Sequence, residues 1–277
     1  MSLNPYDDLL QTVRLETTRQ DGKHRYGTGF YYDFCKKKID KDFDWSIPGI
    51  VTNRHVIEDG EYGSFYINRK GDDNECKFGD MTEIRFKKKD WIHHPDSSID
   101  LSILLLYPIL KENKLDVKDL FIRHMYVSLL PKESQWNKFS SMEDIITIGF
   151  PNGFWDEENN IPIVRKGITA THPKINYKGK EQFLVDIPIY PGISGSPVLL
   201  MSYGYEWYDK KNYSVGSRCY FIGILYAMAT YSKKQSGLTM EMIPTDDSFA
   251  DFESLTSNLG FVIKSSKLKD FEKLLDN

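Results

Sequence analysis

The chain has 277 residues, of which 36 are basic and 40 are acidic, giving a net charge of −4. Charges of both signs are spread along the sequence without a basic face, so nucleic acid is not an expected partner. No apolar stretch is long enough to span a bilayer, and the N-terminal residues lack the basic and apolar regions of a signal peptide. We therefore expect no membrane partner.

Cysteine usage bears on the compartment in which the protein works. The three cysteines, Cys35, Cys76 and Cys219, lie far apart in the sequence. An odd number at such spacing is not a disulfide framework, and the lack of one is typical of a reducing compartment. The sequence therefore predicts a cytoplasmic location.

Short strands dominate the predicted secondary structure. Residues 12–17 and 83–86 alternate between apolar and polar side chains, and glycines separate many runs of aromatic and β-branched residues. This pattern predicts an all-β chain. Polar stretches between the strands are predicted to be surface loops, at about residues 33–47, 68–80, 152–160, 202–218 and 232–257.

One helix is predicted, at the C-terminus over residues 265–277, with Ser265 or Ser266 as its N-cap. Its apolar residues fall on one face: Leu268, Phe271, Leu274 and Leu275. Such a stripe usually packs into the core, and docking of a partner protein on it is the alternative.

Two residues in the first half of the chain carry reactive side chains and lie next to apolar runs. His55 follows the run Ile50-Val51-Thr52, and Asp100 stands at the start of an apolar strand. Burying a carboxylate there is costly without a partner, and a histidine N–H is a suitable one. Asp96 is a rival acid, but it lies in a polar loop after Pro95. Taken singly, His55 also fits a core histidine and Asp100 a strand cap.

A serine between glycines, in Gly192-Ile193-Ser194-Gly195, is the most informative motif. The pattern suits a sharp turn that presents a side-chain oxygen and aims backbone N–H groups at the same point. Gly192 would keep the path of a substrate carbonyl clear, and Gly195 would let the chain turn away without steric cost. Alone, the pattern also occurs in ordinary turns.

The order His55, Asp100, Ser194 resembles that of the trypsin-like serine peptidases. The resemblance is closest to the branch without zymogen activation, which includes the HtrA (Deg) peptidases and bacterial trypsin-like peptidase domains. It covers about residues 10 to 264. Further segments resemble strands of that family in the expected order: 145–151, 164–168, 221–224 and 258–263.

This resemblance implies a fold of two six-stranded antiparallel β-barrels with the active site in the cleft between them. The expected organisation is an N-terminal barrel over 1–120, a connection over 121–138, a C-terminal barrel over 139–264 and the helix, packed on the second barrel. His55 and Asp100 would belong to the first barrel and Ser194 to the second. No residues remain for a PDZ domain, so a peptidase domain alone is expected.

The resemblance also implies a mechanism. Ser194 would attack a peptide carbonyl, His55 would act as general base, and Asp100 would orient the imidazole. The backbone N–H groups of Gly192 and Ser194 would form the oxyanion hole. Neither a cofactor nor a metal is implied, and the substrate would be a protein or peptide.

Substrate preference is predicted from the residues around the nucleophile. In the resembled family the residue six before the serine lies at the base of the primary pocket, and here it is Pro188 rather than an acid. The sequence therefore favours an apolar or small substrate side chain. Residues expected to line the pocket or pair with substrate are Pro188, Ile189, Tyr190, Ile224, Leu225 and Tyr226. Ordinary strand core is the alternative for the strand residues.

Regulation without zymogen cleavage is the expectation. Secreted trypsins carry Asp before the nucleophile, where this chain has Ile193, and no Ile-Val-Gly-Gly segment occurs near the start. A regulatory partner, or ordering of the loop 188–193, would control activity instead. A bacterial stress or antiphage effector that cleaves one specific protein is a setting consistent with such control.

Three other interpretations stay open or are set aside. Two alternatives stay open: a catalytically silent module that binds extended peptides, and an esterase or acyl transferase that uses the same site. His93, His94 and Asp96 lie close in sequence but are expected to form a surface loop rather than a metal site, since neighbouring strand residues point to opposite faces.

Overall fold

The computed structural model describes residues 11–19, 21–38, 44–72, 74–125, 127–152, 154–207, 213–234, 237–244 and 255–276. These residues form two seven-stranded sheets and four short α-helices. None of the described helices is long and apolar enough to cross a membrane. The helices are α1 (Arg54–Glu58), α2 (Leu106–Glu112), α3 (Glu133–Trp136) and α4 (Leu268–Leu275).

The first sheet contains the strands β1 (Thr12–Arg19), β2 (His24–Lys38), β3 (Asp44–Thr52), β4 (Gly60–Lys70), β5 (Cys76–Lys87), β6 (Trp91–His93) and β7 (Ser102–Leu105). They are antiparallel in the order β5-β4-β1-β2-β3-β7-β6. Alternate residues of β1, such as Val13 and Leu15, are buried in a cluster with Ile50 and Phe65. The period-two pattern in the sequence thus marks the face that meets the core.

The second sheet contains the strands β8 (Asp144–Gly149), β9 (Ile163–Thr169), β10 (Gln182–Asp186), β11 (Pro197–Trp207), β12 (Tyr213–Lys234), β13 (Gly237–Pro244) and β14 (Leu255–Lys264). Their order is β11-β8-β9-β10-β14-β12-β13, and β12 also pairs with β11. Six strands therefore close into a barrel, with β13 added on β12. Phe183, Val185, Ile222 and Val262 fill its interior.

The all-β prediction with a C-terminal helix is confirmed. The structure adds detail that the prediction lacked. Each sheet has seven strands among the described residues, and the first shows no pairing between its edge strands β5 and β6 there.

A shared apolar cluster joins the two sheets. Phe30 and Ile103 of the first sheet pack with Ile148, Phe221 and Ile263 of the second. The rings of Phe30 and Phe221 meet edge to face with their centroids 5.3 Å apart. Since these side chains are almost fully buried, the packing fixes how the edges of the two sheets face each other.

Several segments predicted as loops belong to strands. β2 and β3 cover most of 33–47, β11 and β12 most of 202–218, and β13 lies within 232–257. Aromatic residues such as Tyr203, Tyr205 and Trp207 alternate with polar ones there, and this alternation outweighs the polar composition. The stretch 152–160 lies mainly in turns where described, as predicted.

The C-terminal helix forms differently from the prediction. Ser265–Lys267 form a 3₁₀ turn, and α4 begins at Leu268 without a side-chain cap, so the prediction of a serine cap is wrong. Phe271 is fully buried and meets Phe34 of β2 at 6.2 Å between ring centroids. The helix therefore packs against the first sheet as well as the second.

Truncating Phe271 should destabilise the protein far more than truncating Leu274 on the same helix. Phe271→Ala removes a fully buried ring and should cost about 3–5 kcal/mol of unfolding free energy. Leu274 is 44% exposed, so Leu274→Ala should cost about 1 kcal/mol or less. Urea unfolding of both variants measures the difference. Equal losses would mean that this face of α4 is not part of the core.

Candidate active site

His55 and Asp100 meet because β3 and β7 are neighbours. Thr52, near the end of β3, pairs with Ser102, at the start of β7, so the residues that flank these strands lie side by side. His55 Nδ1 is 2.5 Å from Asp100 Oδ2, and the His55 backbone N–H donates to Oδ1 at 3.0 Å. Asn53 donates to the Asp100 carbonyl at 2.8 Å, which fixes the acid's backbone.

The environment keeps Asp100 ionised. Burial acts to raise the pKa of Asp100, but hydrogen bonds from His55 and its charge outweigh burial and hold this pKa below its ordinary value. An ionised carboxylate can only accept, so the proton of the neutral imidazole lies on Nδ1. Nε2 is then an acceptor.

Ser194 lies on the other side of the imidazole. Its Oγ is 2.9 Å from His55 Nε2 and 3.3 Å from the Tyr226 carbonyl oxygen. The structure thus brings together His55, Asp100 and Ser194, which come from two different sheets. Ser194 is fully buried, whereas the His55 side chain is 14% exposed. The nucleophile is therefore more shielded from solvent than its base.

Both glycines of the serine turn have positive φ, at +90° for Gly192 and +89° for Gly195. A Cβ on Gly195 would lie 1.9 Å from the Thr28 carbonyl oxygen, and one on Gly192 would lie 2.6 Å from the Phe150 carbonyl oxygen. The turn therefore requires glycine because it presses against neighbouring backbone. At Gly192 the added atom would also lie 2.9 Å from the Asn152 backbone nitrogen.

The peptide groups of the turn have defined orientations. Asn152 N–H donates to the Pro191 carbonyl at 2.8 Å, and Ser196 N–H donates to the Ile193 carbonyl at 3.0 Å. In a trans peptide the N–H points opposite to the C=O, so the N–H groups of Gly192 and Ser194 point away from these donors. The Gly192 N–H has no acceptor in the part of the chain that the structure describes.

Comparison with known sequences adds to this geometry. A sequence model described as the trypsin-like peptidase domain matches residues 27–205, well over half of the chain. This chain belongs to the trypsin-like peptidase family. The predicted membership of the trypsin-like peptidases is therefore confirmed. A comparison with curated protein sequences finds no match.

Solved structures show a similar fold. AlgW, an HtrA-type protease with a bound tripeptide, has a TM-score of 0.50 at 15% identity; the match covers 97% of this chain and 61% of AlgW. GrC and HL collagenase each have a TM-score of 0.51, at 13% and 14% identity, with 98% of this chain and 96% of theirs covered. The peptidase therefore spans less than two thirds of the AlgW chain.

Thr28 of β2 connects the serine turn to the first sheet, a role that no sequence prediction assigned to it. Its N–H donates to the Ser194 carbonyl at 2.8 Å, and its hydroxyl donates to the Gly192 carbonyl at 3.0 Å. The same hydroxyl accepts from Phe150 N–H at 3.0 Å. In the sequence, the position of this small hydroxyl residue between Gly27 and Gly29 could have indicated a contact with a neighbouring turn.

The predicted pocket residues have mixed positions. Ile189, Ile224 and Leu225 are buried in the apolar clusters, as residues of a strand core would be. Pro188 and Tyr190 are exposed, and Tyr226 is half-buried. Apolar residues are expected both in the wall of a pocket and in the core of a strand, so the sequence cannot distinguish these positions. The burial of each side chain in the structure can.

The segment with His93, His94 and Asp96 differs from the predicted surface loop. His94 is buried against Phe271 with ring centroids 5.1 Å apart, and His93 Nδ1 is 2.8 Å from Ser102 Oγ. The Asp96 carboxylate, the alternative acid, accepts hydrogen bonds from the backbone N–H and the hydroxyl of Ser98 within the same turn. In the described residues no group of three or more His, Cys, Asp or Glu side chains is placed to hold a metal ion.

Replacing Thr28 should impair catalysis through the position of the serine turn. Thr28→Val keeps the shape but removes the hydroxyl, which leaves the Gly192 carbonyl and Phe150 N–H unpaired. We expect kcat to fall about 10²-fold, the effect of misplacing a reacting group by about 1 Å. Thr28→Ser keeps the hydroxyl and should stay within a few-fold of the parent. A folded Thr28→Val protein with full kcat would contradict this role.

Proposed function

We propose that the protein is a serine endopeptidase that hydrolyses peptide bonds through an acyl-enzyme on Ser194. The observation that supports this most is the chain of short contacts from Asp100 Oδ2 through the imidazole of His55 to Ser194 Oγ. The three residues are far apart in sequence, and a purely structural role does not require this alignment.

The acylation step uses this alignment directly. Ser194 Oγ attacks the peptide carbonyl carbon while its proton passes to His55 Nε2, and Asp100 stabilises the imidazolium that forms. When the tetrahedral intermediate collapses, the C–N bond breaks and His55 gives the proton to the leaving amine. Water then attacks the ester with the same base, releasing the acid product and restoring Ser194.

The N–H groups of Gly192 and Ser194 are proposed to bind the oxyanion. Support comes from the carbonyl groups of the same two peptides, which are held by Asn152 and Ser196. Fixed donors at this position lower the barrier without reorganising in the transition state. Losing one such donor costs about 3–4 kcal/mol in related enzymes.

We propose that the primary pocket accepts a small or apolar side chain. None of Pro188, Ile189 and Tyr190 is acidic, so this segment offers no buried carboxylate for Lys or Arg.

Regulation and location form a further part of the proposal. The buried Ser194 fits an enzyme that rests in a closed state and is opened by a partner or by its substrate. The odd number and wide spacing of Cys35, Cys76 and Cys219 in the sequence suit a reducing cytoplasm. Such control would suit a bacterial stress or antiphage effector, for which cleavage of one cellular protein is the expected activity.

A catalytically silent peptide-binding module is the second candidate, and the burial of Ser194 favours it. The alignment of His55 and Asp100 has no use in such a module. An esterase or acyl transferase would use identical chemistry and differs only in substrate. A fluorophosphonate probe separates the first two cases because it reacts only with an activated serine.

Replacing the triad residues should abolish activity without unfolding the protein. Ser194→Ala should lower kcat about 10⁶-fold, and Asp100→Asn about 10⁴-fold because the wrong imidazole tautomer forms. Peptide hydrolysis and mapping of the fluorophosphonate adduct by mass spectrometry measure both effects. Ser196→Ala, at a neighbouring buried serine, is the matched control and should still label at Ser194.

Full turnover by folded Ser194→Ala would overturn the assignment of the nucleophile. Absence of labelling in the parent protein under all conditions, with the fold intact, would favour the silent binding module.

A further inference from the structure

β13 is an added strand that the closed six-stranded barrel does not need. It pairs antiparallel with β12, from Lys234 opposite Gly237 to Ala227 opposite Pro244. On its other side, β12 pairs with β14 as far as Tyr231, which lies opposite Leu255. Both edges of β12 from Ala227 to Tyr231 are therefore occupied by strands of the same chain.

The paired edge lies beside the nucleophile. Ala227 follows Tyr226, whose carbonyl oxygen is 3.3 Å from Ser194 Oγ, and β13 runs toward this end of β12. The Tyr226 hydroxyl is 3.1 Å from Met242 Sδ, so a side chain of β13 also contacts the residue that borders the serine.

A peptide cleaved at Ser194 needs such an edge. An extended chain binds by adding a strand, and main-chain hydrogen bonds provide most of its affinity. Leu225, the residue before Tyr226, has its N–H and C=O bonded to Ser196 and Gly195 at 3.0 and 2.8 Å. The backbone groups beside Ser194 that remain for a peptide therefore begin after Leu225, where β13 lies.

One feature fits a removable strand. Pro244 has no N–H, so the rung of the ladder nearest Ser194 lacks a donor from β13.

We propose that β13 regulates the peptidase by occupying the peptide-binding edge of β12. Extended peptides reach Ser194 only when β13 leaves that edge, whereas small acyl reagents do not need the edge. This inference rests on the proposed serine peptidase function. It identifies the regulatory element as a strand within the chain, which a partner or a suitable substrate displaces.

A reversible crosslink between β12 and β13 tests the proposal. Ala229 lies directly opposite Met242. Opposed antiparallel residues have Cα atoms about 4.5–5.5 Å apart, within the range that a disulfide spans. The variant Ala229→Cys/Met242→Cys is oxidised or reduced, and peptide mapping verifies the bond. The two single-cysteine variants, treated identically, are the controls.

Two probes with the same phosphonate group report on access to Ser194. One is a small alkyl fluorophosphonate, and the other carries a three-residue peptide extension. Oxidation should lower the labelling rate of the peptide probe at least about 10-fold and change that of the small probe less than about 3-fold. Reduction should restore the peptide probe's rate, and the single variants should not respond.

A second variant weakens the pairing and covers the case in which the crosslink distorts the site. Adjacent strand residues alternate the direction of their N–H groups, so Met240→Pro/Glu241→Pro removes at least one bond of the ladder. We expect the peptide probe to label Ser194 about 5-fold faster or more, the effect of one hydrogen bond, with the small probe unchanged.

The outcomes distinguish this inference from the proposed function. If both probes label at the same rates whether the strands are crosslinked, free or weakened, β13 does not control the edge, while the serine chemistry stands. If the thiols fail to join, or if crosslinking blocks both probes alike, the inference is also overturned. If the small probe labels Ser194 in no state, the proposed peptidase function itself fails, and this inference with it.

Discussion

The contact of the serine turn with β2 is the constraint on which the rest of the site depends. Gly195 lies so close to Thr28 that no side chain fits between them, and Thr28 holds the carbonyl groups of Ser194 and Gly192. Through this contact, the second barrel presents Ser194 to His55 on the first sheet. The apolar cluster around Phe30 and Phe221 keeps the sheets from sliding and so fixes the 2.9 Å distance between the side chains.

The alignment of the catalytic groups and the access of a peptide to them depend on different parts of the structure. Asp100 and the imidazole are aligned already, since the acid's pKa is depressed by its hydrogen bonds with His55 despite the opposing effect of burial. The edge of β12 beside Ser194 is paired with β13. If β13 has the role that we propose, exchange of this strand for a peptide regulates the protein without rebuilding its catalytic groups.

The family and the all-β fold could be predicted from the sequence, because the reactive residues lie at the ends of recognisable apolar strands. Features that depend on packing between distant segments could not be predicted. Thr28 looks like any small strand residue until the sheets meet, and Ile189 looks like a pocket wall until its burial is known. The strand β13 was missed because its alternation of apolar and polar residues covers only part of an eight-residue segment within a stretch that is polar overall.

The tautomer of His55 provides the most direct test of the account. Nitrogen-15 NMR of the folded protein with labelled histidine reports which ring nitrogen carries the proton when the ring is neutral. The account predicts a protonated Nδ1, held by Asp100, and an unprotonated Nε2 facing Ser194. A neutral ring protonated on Nε2 in the parent protein would contradict it, because that nitrogen could not accept the serine proton.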